Sequence, residues 1–271
     1  MNVRTRPTIA ALFGLLAAGM LFTATPAQAL QEYYIDEITD YTNSNPCDIY
    51  DLNEITASLK TALDSDGWGG SRFLNDSAWP QDFWEECSSS YGSGGDDYVY
   101  GDSANLAIHA GHGGAHYLVF GSYHGSACGV SMTDNARMGA MAGSQAAFAM
   151  YLDCEVIQGS DLGTNEYQWL HQQAGWQNAI GIGDDEPRDF YNATGTATNA
   201  DAWLNQMSSG GRDAIIATTE TDSSGSSLDD CWSFHNAATL KGNIGNAPRG
   251  SGPACLGSQE AYWYCYEDYQ N

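Results

Sequence analysis

Apolar positions along the chain fall into two periodicities. Unbroken apolar runs of strand length occur at Leu106–Ala110, Tyr117–Gly121, Ala146–Leu152, Ala179–Ile182 and Asp213–Thr218, the signature of strands buried on both faces of a parallel sheet. Helical spacing occurs between them. Leu52, Ile55, Leu59 and Leu63 share one face of a predicted helix over Asp51–Ser65, with Asp51 and Glu54 forming a capping-box-like start. Gly67, Gly69 and Gly70 stop it. Further helices are expected over Glu166–Ala174 and Ala200–Met207, with a short one near Ala136–Ala142 in an otherwise irregular Ser122–Gly143. The segment from Gln31 to Tyr50 is extended, acidic and Tyr-rich, and Ser88–Asp97 is an exposed Ser/Gly/Asp loop. Strands alternating with helices predict an α/β domain with a mostly parallel central sheet.

Two of these runs break off at reactive side chains. Leu106–Ala110 leads into Gly111-His112-Gly113-Gly114, and Ala146–Leu152 leads into Asp153-Cys154. Ligands of open α/β sheets bind beyond the carboxyl ends of the strands. Adjacent strands would therefore deliver an imidazole and a thiol to one sheet edge, as nucleophile and base. A thiol attacks as its thiolate, so His112 is the expected base for Cys154. The backbone N–H of Gly113 is a candidate oxyanion donor beside that of Cys154, because glycine admits a carbonyl closely. His109, within the strand, and Asp153, beside the cysteine, are the expected supporting residues.

An apolar strand ending in His-Gly, followed by an apolar strand ending in Cys, resembles the caspase, gingipain and legumain superfamily of cysteine peptidases. The block from about Asp102 to Thr219 more closely resembles a family of secreted bacterial proteins with that fold, in which a segment like Ala200-Asp-Ala-Trp-Leu204 also recurs. The resemblance implies a caspase-like three-layer α/β sandwich, with His112 as base, Cys154 as nucleophile and Gly113 in the oxyanion hole. It covers roughly half of the chain that follows the leader. The chain departs from the peptidase pattern around the cysteine: Asp153 and Glu155 flank Cys154, and Val156 and Ile157 stand where glycine is usual. Flanking carboxylates oppose thiolate formation. A catalytically inactive extracellular binding or structural protein on the same fold is the rival expectation.

Composition changes the picture in three ways. Residues Met1 to Ala29 read as a secretory signal peptide: Arg4 and Arg6, an apolar core from Ile9 to Phe22, and Ala27-Gln-Ala29 as the cleavage site. The expected protein is secreted, with an α/β domain over 30–222 and a Gly/Ser/Cys-rich extension over 223–271 packed on it as an irregular, disulfide-tied cap. Second, 34 acidic against 9 basic residues give a net charge of −25. This charge excludes nucleic acid and anionic membranes as partners and suits a peptide or protein substrate, including a cationic one, with Asp184, Asp185 or Asp229 as candidate pocket carboxylates. Third, an odd number of cysteines (Cys47, Cys87, Cys128, Cys154, Cys231, Cys255, Cys265) leaves one unpaired in an oxidising compartment. Cys154, at the end of a core strand, is the expected free thiol.

Metal chemistry is a third reading. His109, His112 and His116 fit no standard zinc spacing, and alternation along a strand sends His109 and His112 to opposite faces unless the glycine turn intervenes. No metal is assigned to the site and no cofactor is required. The oxygen-rich turns Asp64-Ser-Asp-Gly67 and Asp184-Asp-Glu186 with Asp189 are compatible with calcium, without the 12-residue EF-hand spacing.

Overall fold

A computed structural model describes residues 31–41, 51–84, 95–96, 99–124, 127–132, 146–158, 172–178, 180–220, 235–241 and 263–268, with Leu170 and Trp232 singly. The leader, the expected helix at 136–142, most of the 88–97 loop and Asp229 lie outside the described residues.

Among the described residues, ten strands form two sheets. The central one comprises β1 (Glu32–Glu37), β2 (Gly69–Leu74), β3 (Leu106–Ala110), β7 (Phe148–Leu152), β8 (Gln172–Trp176), β9 (Ala214–Glu220) and β10 (Trp263–Asp268), in the order β10-β9-β8-β7-β3-β1-β2. Pairing is parallel from β2 through β8, while β9 runs against both its neighbours. Six strands therefore share one direction and β9 opposes them. The protein is a mixed α/β fold with a mostly parallel central sheet. The smaller sheet is antiparallel, β4 (His112–Gly114), β5 (Tyr117–His124) and β6 (Ala127–Ser131).

The two faces of the central sheet are covered differently. One buries Tyr33, Ile35, Ile108, Met150 and Ile216 under α1 (Ala57–Ser65), α2 (Glu186–Ala193) and α3 (Asn199–Met207), through Leu59, Leu63, Phe190 and Trp203. Alternation sends Tyr34, Ala107, Ala149 and Ile215 to the other face, against Leu118, Phe120 and Val130 of the small sheet and Phe83 and Trp84 of a 3-10 segment. Each large side chain taken fully out of water contributes about 1.5–3 kcal/mol, so both layers are held firmly.

Several expectations need correction. The helix over 51–65 begins only at Ala57. Asp51 accepts the N–H of Tyr41 at 2.9 Å, and Glu54 pairs with Arg72, so neither caps the helix. The two residues before it are held from afar: buried Glu37, at the end of β1, accepts from the Ile55 and Thr56 amides and the Thr56 hydroxyl and pairs with Arg72. The helix expected over 166–174 is contradicted at its end by β8. Gln172 and Gln173 are buried there, and Gln172 donates to Thr218 Oγ1 at 3.0 Å while accepting from Asn199 at 2.8 Å. Ile180–Ile182 is not a strand but irregular chain at the sheet edge. The extension after residue 222 is not wholly irregular, because β10 returns to extend the sheet beside β9.

Candidate active site

The carboxyl ends of β1, β3, β7 and β8 share one edge of the sheet. The segments leaving them enclose a cavity of about 160 Å³. Leu52 and Ile55 come from the segment after β1, Gly111 and His112 from that after β3, Leu152 and Cys154 from β7 and its exit, and Ile180–Ile182 from the segment after β8. His112 and Cys154 thus line one cavity because β3 and β7 are parallel neighbours, in register from Leu106↔Phe148 to Ala110↔Leu152.

His112 is braced by Tyr41, a residue that no local pattern singles out. Its backbone N–H donates to the Tyr41 hydroxyl at 2.7 Å, and the two rings lie 4.8 Å apart, tilted by 55°. Only 8% of His112 is accessible. Gly111 must be glycine for this arrangement, since a Cβ there would stand 2.5 Å from the Tyr41 hydroxyl.

Cys154 is half-buried and is the free thiol among the described cysteines, whereas Cys128 is disulfide-bonded. Its sulfur accepts the Ile180 N–H at 3.3 Å and lies 3.7 Å from the Ile180 carbonyl oxygen, to which the thiol donates. Burial pushes the thiol above its usual range; the Ile180 N–H opposes this, and Asp153 and Glu155 add to the rise. At neutral pH the sulfur rests protonated.

The residues around the thiol hold it against the histidine segment. Glu155 adopts φ +59°, a left-handed conformation natural to glycine. Its N–H donates to the Asn178 carbonyl at 3.2 Å, tying the cysteine turn to the segment after β8. Gly113 packs so closely that an added Cβ would come within 2.8 Å of the Cys154 carbonyl oxygen and 2.6 Å of Val156 Cγ2. Arg212 fixes the far wall, donating to the Gly181 carbonyl at 3.2 Å and to both carboxylate oxygens of Glu186, at 2.6 and 2.8 Å.

His109 and Asp153 form a buried pair beneath this edge. His109 Nδ1 lies 2.9 and 3.0 Å from the Asp153 carboxylate oxygens, and both residues are inaccessible to water. Burial raises Asp153, and the positive charge His109 can carry opposes it most strongly. The pair thus pins the base of the cysteine turn to β3. His116 is placed elsewhere, at φ +57° with its N–H on the Val156 carbonyl. Among the described residues no group of three His, Cys, Asp or Glu side chains is arranged to hold a metal.

The candidate calcium turns are occupied by pairing. Asp64 meets Lys60, Asp66 meets Lys241, Asp185 and Asp189 share Arg188, and Glu186 meets Arg212. Asp184 and Asp185 are exposed and do not line the cavity. No model of a protein family and no curated protein matches the chain.

Proposed function

We propose that the protein is a secreted cysteine endopeptidase-like hydrolase of caspase-like fold, working through a His112/Cys154 dyad and an acyl-enzyme. One observation carries this reading: Cys154, with its free thiol, and His112 line the same cavity at the carboxyl edge of adjacent parallel strands.

The raised thiol shapes the chemistry. Cys154 starts as the neutral thiol, and His112 takes its proton as sulfur bonds to the substrate carbonyl carbon. The carbonyl π electrons move to oxygen, and the Gly113 and Cys154 N–H groups are the candidate donors to that oxyanion. Collapse of the adduct breaks the C–N bond, and His112 returns the proton to the leaving amine. His112 then removes a proton from water as it attacks the thioester; the C–S bond breaks, the acid is released, and His112 returns its proton to the sulfur, restoring the thiol. No metal or cofactor enters these steps. The strongly acidic surface argues against nucleic acid as a partner.

Expected outcomes are selective alkylation of Cys154 by iodoacetamide in the folded protein, and loss of all peptide hydrolysis in Cys154→Ala. Failure of the wild type to cleave any member of a broad peptide library, with and without calcium, would sink the proposal. A second reading, an extracellular binding or structural protein, is favoured by the raised thiol and its flanking carboxylates. A folded protein whose Cys154 resists alkylation up to pH 10 would decide for it.

A further inference from the structure

We infer that the cavity beside Cys154 is a specificity pocket for an uncharged apolar side chain of about the size of Leu, Met or Phe. That side chain belongs to the residue whose carbonyl the sulfur attacks. The inference rests on the hydrolase reading and names its substrate class.

The walls carry the argument. Leu52, Ile55, Leu152, Ile180 and Ile182 line the cavity together with His112 and Cys154, and among the described residues no Asp, Glu, Lys or Arg lines it. Exposed Asn53 is the one further polar side chain among the described lining residues. Four carboxylates nearby in the chain are paired with partners of their own. Glu37 and Glu54 are paired with Arg72, Asp153 with His109 and Glu186 with Arg212. A cationic side chain entering the pocket would lose its hydration with no opposing charge, which is strongly unfavourable. The acidity of the molecule as a whole therefore does not extend to this pocket.

Size agrees with the walls. A volume of about 160 Å³ is close to that of an aliphatic cavity of ~150 Å³ that accepts benzene. A leucine or phenylalanine side chain fills such a space; alanine leaves most of it empty. One methylene in an apolar pocket changes kcat/KM by about 10-fold or more. The wall is also held in place, because Arg212 grips the Gly181 carbonyl and the Ile180 amide contacts the sulfur itself.

The test uses the full protein and two readouts. With fluorogenic peptides varied only at the residue before the scissile bond, Leu, Met or Phe should exceed Lys, Arg and Asp by at least 100-fold in kcat/KM. With chloromethyl ketones of leucine and lysine, alkylation of Cys154 followed by mass spectrometry should favour the leucyl reagent by at least 10-fold, whether or not the protein turns over peptides. Ile182→Trp, at a half-buried position outside any helix or strand, should slow the leucyl reagent at least tenfold more than it slows iodoacetamide. Ile182→Asp should shift the preference towards lysine. Cleavage confined to basic or acidic peptides would overturn the pocket and leave the hydrolase standing. Absence of all cleavage with a retained leucyl preference would overturn the hydrolase and leave the pocket. Equal labelling by both ketones, or labelling by neither, would overturn the pocket.

Discussion

Glu155 concentrates the tension at the residue scale. It holds a left-handed backbone next to the thiol and adds a carboxylate that opposes the thiolate. Such a conformation costs a non-glycine residue about 1–2 kcal/mol. Glu155→Gly should therefore raise stability by roughly 1 kcal/mol in urea titrations and speed iodoacetamide labelling at pH 7 several-fold; unchanged labelling would show that its charge does not reach the sulfur. Gly113→Ala should do the opposite, since its Cβ would strike Val156 and the Cys154 carbonyl oxygen. Peptide hydrolysis should drop at least 100-fold while circular dichroism stays near native. His112, Cys154 and Gly113 were readable in the sequence because each ends or follows a buried run. Tyr41 was not, because its contact with His112 spans 71 positions and leaves no local pattern.

At the scale of the element, β3, β7, β9 and α3 were legible, since their apolar periodicity matches the face they bury. β8 was not. Its Gln-Gln-Ala-Gly-Trp sequence favours a helix locally, and only the partners of Gln172 on β9 and α3 make a strand of it. α2 was hidden likewise, because Glu186 and Asp189 look like a solvated acidic turn until Arg212 and Arg188 are seen beside them. Arg212→Met removes the charged donor that anchors both α2 and the Gly181 carbonyl. We expect a loss of about 2 kcal/mol and a weaker leucyl preference, with hydrogen exchange faster over residues 180–186. Glu186 is held below its usual range chiefly by Arg212, so this stabilisation is present above the unfolded pKa of a glutamate and fades as pH falls. The gap between wild type and variant should therefore close in acid.

The whole molecule has an opposite dependence built into its second layer. The Tyr34 hydroxyl bridges Asp36 and Asp82, at 2.7 and 2.8 Å, in a pocket closed to water, donating its one proton to one carboxyl and able to accept from the other when that is protonated. Burial drives both carboxyls up, Asp82 to about 6, and Asp36 well above its usual range, with repulsion from Asp82 added. Groups raised in the folded state stabilise below their unfolded pKa, and that benefit is lost as pH rises through the folded value. For Asp82 the loss between pH 4 and pH 7 is about 2 kcal/mol. Asp36→Asn or Asp82→Asn should thus be markedly more stable than wild type at pH 8 and lose that advantage near pH 4, as read from Tm against pH. A carboxyl pair of this kind is invisible in a chain with 34 acidic residues, because nothing local marks which of them turn inward.

The reversal of β9 also decides where the molecule tolerates additions. Because β9 runs against its neighbours, it ends at the border of the sheet away from His112 and Cys154, and β10 begins there, with Trp263 opposite Glu220. The intervening stretch leaves and returns on the far side from the cavity. A reporter domain joined just after Glu220 or just before Trp263, by linkers long enough to spare Thr218–His235 and Asn199–Leu240, would attach at the border of the sheet opposite the one that carries the cavity, whereas the same cargo placed between Asn178 and Gly183 would interrupt the Ile180–Ile182 wall itself.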